Sequence, residues 1–596
     1  MLRGFFEILC FLLEKNLLYY LSYEFERHRK ENPMNYTEAV AAALKGCVDL
    51  PLEELEGLLE TPKNAAMGDI AFPCFKLSKT MRKAPNAIAA ELKDKLSLPA
   101  GIERAEAVGP YLNFFIEKGQ QAQSVLLKVL EAGKAYGSSD EGKGRHVVLD
   151  YSSINIAKPF GFHHLPSTAI GNALYRIYGH LGYAPVGVNH LGDWGTQFGK
   201  MIVAYKKWGT KPVDQYGIRE LVGLYVRFHQ EAEEHPEMEA EARAWFHKIE
   251  TGDEEAVSLW KQMKDATIRE VKKTYERMGV RFDSWAGESF YEDKMQPVID
   301  ELKEKGISKL DKGATIVDLS DWNMPPCIIL KSDGSTIYAT RDLAAACYRK
   351  ETYDFAKLLY VVAYQQDLHF KQIFKVLELM GRDWVKDCVH VNFGMVSMEG
   401  GAFHTREGKV LYLDDVLDAA VEKTFEIISE KSPDLEDKRA AAEAVGVGAV
   451  IWGALYNSRI KDVAFSYDKV LNFDGETGPY AQYTHARCCS VLRKAGGYDR
   501  GRLDASVLSD PYSLSLLKAI DAFPAAVKAA AEKYEPYLVA RSVMAVCTAM
   551  NKFYYEIRIM AEDERERTAR LALTDAARQT IEIGLNLLGI QAPERM

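Results

Sequence analysis

The chain has 596 residues, 47% of them hydrophobic and 11% aromatic, enough to bury several cores, so three or four domains are expected. Its formal net charge of −10 excludes a generally basic coat and confines any nucleic-acid contact to local Lys and Arg patches. The nine cysteines form no CxxC pair, which points to neither a zinc site nor a disulfide framework and fits a reducing cytoplasm.

Residues 1–33 contain GFFEILCFLLEKNLLYYLSYEF, an apolar stretch broken by Glu7, Glu14 and Lys15. A bilayer span needs roughly 20 apolar residues, and no A-x-A-like cleavage site follows, so neither a membrane span nor a signal peptide is predicted. Met34 is expected to be the true start, with an amphipathic appendage as the other reading of 1–33. Residues 34–140 read as a small α+β domain. Gly68-Asp69 marks a turn into a strand, and Leu112, Phe114 and Ile116 alternate as in a half-buried strand. The Gly-rich charged loop 141–145 reads as a linker.

The β-branched run His146–Asp150 predicts a strand, followed by a polar turn with Ser152, Ser153 and Asn155. Ile170, Leu174, Ile177 and Leu181 then recur with a helical period. In an open parallel sheet, anionic groups bind where a strand ends and a helix begins, because the helix-start N–H groups point there. Lys158, His163 and His164 fall at that junction, although two imidazoles alone are equally a helix cap.

Residues 209–282 read as charged helices inserted into the sheet, most of their charge forming solvated faces. Residues 325–349 predict two short strands around Asp333-Gly334 and then a helix. If that helix has begun by Tyr338, Tyr338 and Asp342 share a face, with Arg341 and Arg349 as possible partners of Asp342. Further strands are expected at 358–363 and 389–398, the first leading to Gln366 and His369. From 473 onward, periodic Ala and Leu with Gly496 as a stop predict a helix bundle, in which Tyr554 is equally a core or a surface residue.

Three stretches, DYSSINIAKPF, HLPSTAIGNAL and NHLGDWGTQFG (189–199), together resemble the first signature region of the arginyl-tRNA synthetases. With gaps, the resemblance runs from about Met34 to Met596. It implies an α/β fold: a Rossmann-like class I catalytic domain at 141–470 with a helical insertion at about 209–290, a tRNA-elbow-binding domain at 34–140, and an anticodon-binding α-helical bundle at 471–596. It implies activation of L-arginine by ATP with Mg²⁺ and transfer to the 3′ end of arginine tRNA. Asp150, Ser152, Asn155, Tyr338, Asp342 and Gln366 match positions that hold the arginine. Carboxylates suit that task, because a guanidinium carries five fixed donors and keeps its charge. Lys158, Gly161, His164, Thr405 and Arg406 match ATP-binding positions, with Lys158, His163 and His164 catalytic, and Asn113, Tyr554 and Met596 match tRNA contacts. A cytoplasmic monomer without membrane association or a protein-held metal is expected.

One departure lies at the centre. Class I synthetases carry His-x-Gly-His at the junction, where this chain has Gly161-Phe162-His163-His164. Deleting one donor to developing charge costs on the order of 10²–10³ in rate, and the His163 ring stands where a bare backbone normally lies against adenine. The loop at the KMSKS position keeps only Thr405, Arg406 and Gly408, so Lys158 is expected to share its role. A working ligase and a catalytically impaired paralogue that binds arginine, tRNA or both stay open. A ligase for a free amine acceptor would leave the helix bundle idle.

Overall fold

The computed structural model describes residues 36–62, 67–156, 158, 160–399 and 411–596. The extension 1–33 and the expected ATP contacts Thr405 and Arg406 lie outside them. The described residues form two compact units. One comprises the chain up to Tyr136 with Val491–Asp521 and Ala549–Gln579; the other comprises Gly137–Ser490, Ala522–Thr548 and Thr580–Met596.

In the first unit β1 (Ile70–Pro73), β2 (Ile102–Val108) and β3 (Tyr111–Ile116) form an antiparallel sheet in the order β1-β3-β2. The turn before β1 is set by Gly68, at φ +111°, and by Asp69, whose carboxylate accepts the Ile116 N–H at 2.9 Å. Leu112, Phe114 and Ile116 are buried against Val40, Leu44, Ile88 and Leu92 of helices Tyr36–Lys45 and Pro85–Lys95. The later segments of this unit are tied in by polar contacts. Arg500 donates to the Leu130 carbonyl at 3.0 Å, and the Tyr498 hydroxyl donates to Asp575 at 2.9 Å.

The second unit is organised by a parallel sheet. Its first strand, β4 (His146–Asp150), is followed by α1 (Leu165–His180) and β5 (Ala184–Val188). An insertion comes next: the helices Ile218–Glu234, Glu237–Glu250 and α2 (Glu254–Arg277), then the antiparallel sheet β6 (Ser308–Asp311), β7 (Ala314–Val317) and β8 (Cys327–Leu330). The chain returns through α3 (Tyr338–Tyr353), β9 (Lys357–Tyr360), α4 (Asp367–Leu379) and β10 (Cys388–His390), completing the order β10-β9-β4-β5.

Two expected strands differ. After the Asp333-Gly334 turn there is only a Leu330–Thr336 bridge, because Ser335 folds back onto Asp333 at 2.9 Å and α3 begins three residues later. Residues 389–398 divide into β10 and β11 (Val396–Met398), the latter pairing in parallel with β12 (Val463–Phe465). The Gly394 N–H bonds the Arg459 carbonyl at 2.7 Å, and a Cβ there would lie 2.5 Å from the Lys461 backbone, so the chain is drawn off the sheet at that glycine. The 141–145 stretch is packed rather than loose, with the Gly142 and Gly144 N–H groups bonded to Leu181 and Gly182.

Further on, helix Gly478–Ala495 ends as expected at Gly496, which has φ +70°. Among the described residues no helix is long and apolar enough to cross a membrane.

The strand residues Val147, Val148 and Leu149 are wholly buried, and α1 lies close on Tyr151, the residue after β4. A Cβ at Gly171 would stand 2.2 Å from the Tyr151 ring, whose hydroxyl is fixed by the Arg281 carbonyl at 2.8 Å. Gly171→Ala is expected to destabilise this unit by about 1–3 kcal/mol through overpacking, despite the better helix propensity of Ala. Urea titration checks it; unchanged stability would mean that the ring has room to swing aside.

Candidate active site

From β4 the chain crosses to β5 on one side and later to β9 on the other. The crevice beyond the ends of β4 and β9 is therefore the topological switch point where open α/β sheets bind ligands. Ser152 and Ser153 shape its floor from left-handed backbone, at φ +67° and +45°. Non-glycine residues in that region cost of order 1–3 kcal/mol each unless the surroundings hold them. Here the Ser152 N–H donates to the Ser167 hydroxyl at 2.9 Å, which itself donates to the Val361 carbonyl at 2.7 Å. The buried Ser152 hydroxyl lies 2.7 Å from Tyr275 and 2.8 Å from Thr168. Ser152 thus pins the first turn of α1 to both strand ends.

Asp150, 6% exposed, ends β4 with both carboxylate oxygens engaged: Arg349 at 2.7 Å on one and the Ser153 hydroxyl at 2.7 Å on the other. Arg349 is buried above the Tyr360 ring, 5.5 Å from its centroid, with His190 Nδ1 at 3.4 Å. Burial lowers His190, and the facing Asp150 and Asp342 only partly offset it. Asp342 is bonded to His369 Nε2 at 2.6 Å rather than to either arginine suggested by spacing. Arg341 turns instead to Glu292 at 3.0 Å and Glu288 at 3.6 Å. Burial works against the Asp342 charge, but the His369 bond and the neighbouring His369, His190 and Arg349 hold it below the ordinary carboxylate value. Tyr338 opens α3, 55% exposed, with its ring 4.9 Å from His369. Gln366 is exposed one turn before His369, and Asn155 is exposed against Gly192, where a Cβ would meet its side-chain oxygen at 2.2 Å.

At the junction Lys158 is exposed. The next residues are clipped to the far end of the KMSKS-position loop: the Phe162 N–H bonds Leu411 and the Leu413 N–H bonds Phe160, both at 2.9 Å. Before that loop, the Glu399 N–H bonds Phe465, whose ring stands 5.2 Å from that of Phe162. Leu411 is thus bonded to the junction Gly161-Phe162-His163-His164, and Glu399 to the Phe465 whose ring packs against it. The His163 and His164 rings lie 4.0 Å apart, and His164 Nδ1 is 3.2 Å from the Gly161 carbonyl. A carbonyl only accepts, so Nδ1 carries the proton, and Nε2 of the neutral ring is a bare acceptor. Burial, then His163, and also Lys158 push His164 down to about 3, while desolvation and Lys158 lower His163. His164 can donate to a phosphate from Nε2 only after taking up a proton.

The expected tRNA contacts are separately placed. Asn113 is 2% exposed within β3, beneath the Gly68 turn rather than displayed to solvent. Tyr554 is partly exposed, edge-on to Tyr555 at 5.6 Å, and the Met596 carbonyl accepts the Ser432 hydroxyl at 3.3 Å.

Known proteins match most of the chain. Residues 125–467 match the family model described as tRNA synthetases class I (R), catalytic domain, 34–116 the arginyl tRNA synthetase N terminal domain, and 481–596 the DALR anticodon binding domain. An arginine–tRNA ligase of Clostridioides difficile is 53% identical over 94% of this chain and its own full length. One of Alkaliphilus metalliredigens is 51% identical over 91% of this chain and 96% of its own. The chain belongs to the arginyl-tRNA synthetases. The solved Thermus thermophilus arginyl-tRNA synthetase superposes with a TM-score of 0.77 at 27% identity, covering 94% of this chain and all of that one.

Reading the synthetase from its sequence missed His190, although it lies inside NHLGDWGTQFG, and took Arg349 only as a possible partner of Asp342. Arg349 follows Asp342 by seven residues, two helical turns, so a shared face was readable. Glu288, pushed up to about 7 by burial with Arg341 working the other way, had no local signal.

Arg349→Met should destabilise the synthetase by about 3–5 kcal/mol by leaving Asp150 buried and unpaired, and adding Asp150→Asn should recover most of that loss; denaturant titration of the four proteins reads it. His164 has a second signature. Its folded value of about 3 lies below the ordinary 6.5, so the stability of its neutral form is present above about pH 6.5 and lost as pH falls toward 3. At pH 5 unfolding of His164→Asn should take up about one proton fewer than unfolding of the unaltered protein, measured from the pH slope of stability.

Proposed function

We propose that the chain performs arginine–tRNA ligation with Asp342, assisted by Tyr338 and Gln366, receiving the substrate guanidinium. One observation carries this assignment. Among the described residues Asp342 is bonded to His369 and to no lysine or arginine, whereas Asp150 is already bound to Arg349. Asp150 and Ser152 then act as the frame of the pocket, and Asn155 faces the substrate from the loop after β4.

The arginine carboxylate attacks the α-phosphate of ATP, pyrophosphate leaves, and the arginyl group passes to the terminal adenosine of arginine tRNA. No protein nucleophile is needed, so the chain's part is positioning and charge stabilisation. Lys158, Thr405 and Arg406 meet the phosphates, and Gly161 supplies backbone at the nucleotide. Phosphate oxygens beside His164 raise its proton affinity, turning Nε2 into a donor as negative charge develops, while the neighbouring His163 ring orients it. Magnesium arrives on the ATP phosphates and neutralises their charge. Among the described residues no group of three His, Cys, Asp or Glu side chains is placed to hold it independently.

The domains divide as 34–140 for the tRNA elbow, 141–470 for catalysis and 471–596 for the anticodon. Tyr554 stacks on an unpaired base, Met596 is a further tRNA contact, and Asn113 supports the elbow-binding sheet from within. The chain works as a cytoplasmic monomer. No observation favours the impaired paralogue.

Arginine-dependent ATP–pyrophosphate exchange tests this reading. The unaltered protein should exchange only with arginine tRNA present. Asp342→Asn should raise the arginine requirement a hundredfold or more with tRNA affinity unchanged, in line with roughly 2–5 kcal/mol for one partner of a charge pair. Exchange that appears only after Gly161→His with His163→Gly would establish the paralogue instead.

A further inference from the structure

The helix that presents His369 to the arginine pocket has a second, unused face. Lys371 and Lys375 on that face of α4 line a cavity of about 1060 Å³, together with Trp322 from the turn before β8 and Arg382 and Lys386 from the turn after α4. Leu368, adjacent in sequence to His369, lines the same cavity, so the cavity reaches the first turn of α4, the turn from which His369 bonds Asp342.

Its charge runs against that of the chain. Four cations line it against two carboxylates, Glu378 and Asp383, in a protein of net charge −10. Arg382 is committed to Glu301 at 2.5 Å, and Lys375 to Glu378 at 2.6 Å. Lys371 and Lys386 are exposed and form no ion pair among the described residues. Trp322 keeps 42% of its surface in solvent, with the Lys375 ammonium 4.9 Å from its ring centroid. Uncommitted lysines beside an exposed indole are the elements of a single-strand platform: cations track the phosphates and the ring stacks on a base of any identity.

We propose that this groove holds the unpaired 3′ end of the tRNA acceptor arm, with phosphates on Lys371 and Lys386 and a base on Trp322, feeding the terminal adenosine to the Asp342 pocket. The proposal rests on the ligase reading, since only transfer to tRNA requires that end to reach the pocket. A groove that reaches the first turn of α4, which also carries His369, suits that requirement.

The test is direct binding by the full chain, across a salt series, of intact arginine tRNA and of the same tRNA lacking its last four nucleotides. Lys371→Glu with Lys386→Glu should weaken intact tRNA tenfold or more. Two lost single-strand phosphate contacts should also make the slope of log K against log salt shallower by about 1.4. Trimmed tRNA should bind both proteins alike, and the arginine KM should stay within twofold. Trp322→Ala should weaken intact tRNA at least threefold without changing the salt slope. Unchanged affinity for intact tRNA would overturn the proposal. So would equal weakening of trimmed tRNA, which would put the effect elsewhere on the RNA, or a parallel rise in arginine KM, which would make the groove a support of the pocket. Binding needs no turnover, so an unaltered protein that fails to charge tRNA would sink the ligase reading and leave the groove still testable.

Discussion

The buried pair between Asp150 and Arg349 is the constraint on which the site depends. Each partner alone would be an uncompensated charge in a dry interior, at a cost of several kcal/mol. The pair therefore fixes α3 over the end of β4. Because Arg349 and Asp342 share one face of α3 about 10 Å apart along its axis, fixing the first positions the second. His190 and the rings of Tyr291 and Tyr360 close the space around Arg349. A resident guanidinium saturates the inner carboxylate, and the outer one is held by an imidazole; in the proposed function it is the outer one that a substrate guanidinium meets. Under that proposal discrimination follows from the order, because a substrate without a guanidinium would leave Asp342 without the cation its setting favours.

A second dependence joins the junction to the loop after β11. Phe160 and Phe162 share backbone hydrogen bonds with Leu411 and Leu413, and the other end of the loop is held by Phe465, against which Phe162 packs. Movement of either segment is transmitted through a short ladder of backbone bonds. The junction and the described residues on either side of 400–410 are thus joined through one set of backbone hydrogen bonds and ring contacts.

What was legible in the sequence followed locality. The strand His146–Asp150 and the helix after it announce themselves by period, and Tyr338 with Asp342 by spacing on one helix. The split of 389–398 was hidden because its cause, the Arg459 carbonyl beside Gly394, arrives 65 residues later in the chain. Spacing offered Asp342 only nearby arginines as alternatives to the substrate role that family text implied, because charge rules reach only a helical turn or two, whereas its partner His369 is brought from the next helix by the sheet. Asn113, matched to a tRNA contact by family text alone, is buried beneath the Gly68 turn, a closure no strand alternation records. Roles came through from family text; partners required the fold.

The altered junction is best understood through charge rather than through the missing imidazole. Before substrate binds, burial, the neighbouring His163 and Lys158 disfavour charging of His164, while desolvation and Lys158 disfavour charging of His163. In the proposed reaction those are the terms that a polyphosphate opposes, since it would supply acceptors to Nε2 and counter-charge to Lys158 together. An imidazole permanently protonated would meet the phosphates equally in ground and transition states. In the proposed role, one that charges as negative charge grows would strengthen its hydrogen bond along the reaction, and only such differential interactions accelerate the chemical step. A junction with one correctly placed histidine retains that property as long as the Gly161 carbonyl keeps the first proton on Nδ1.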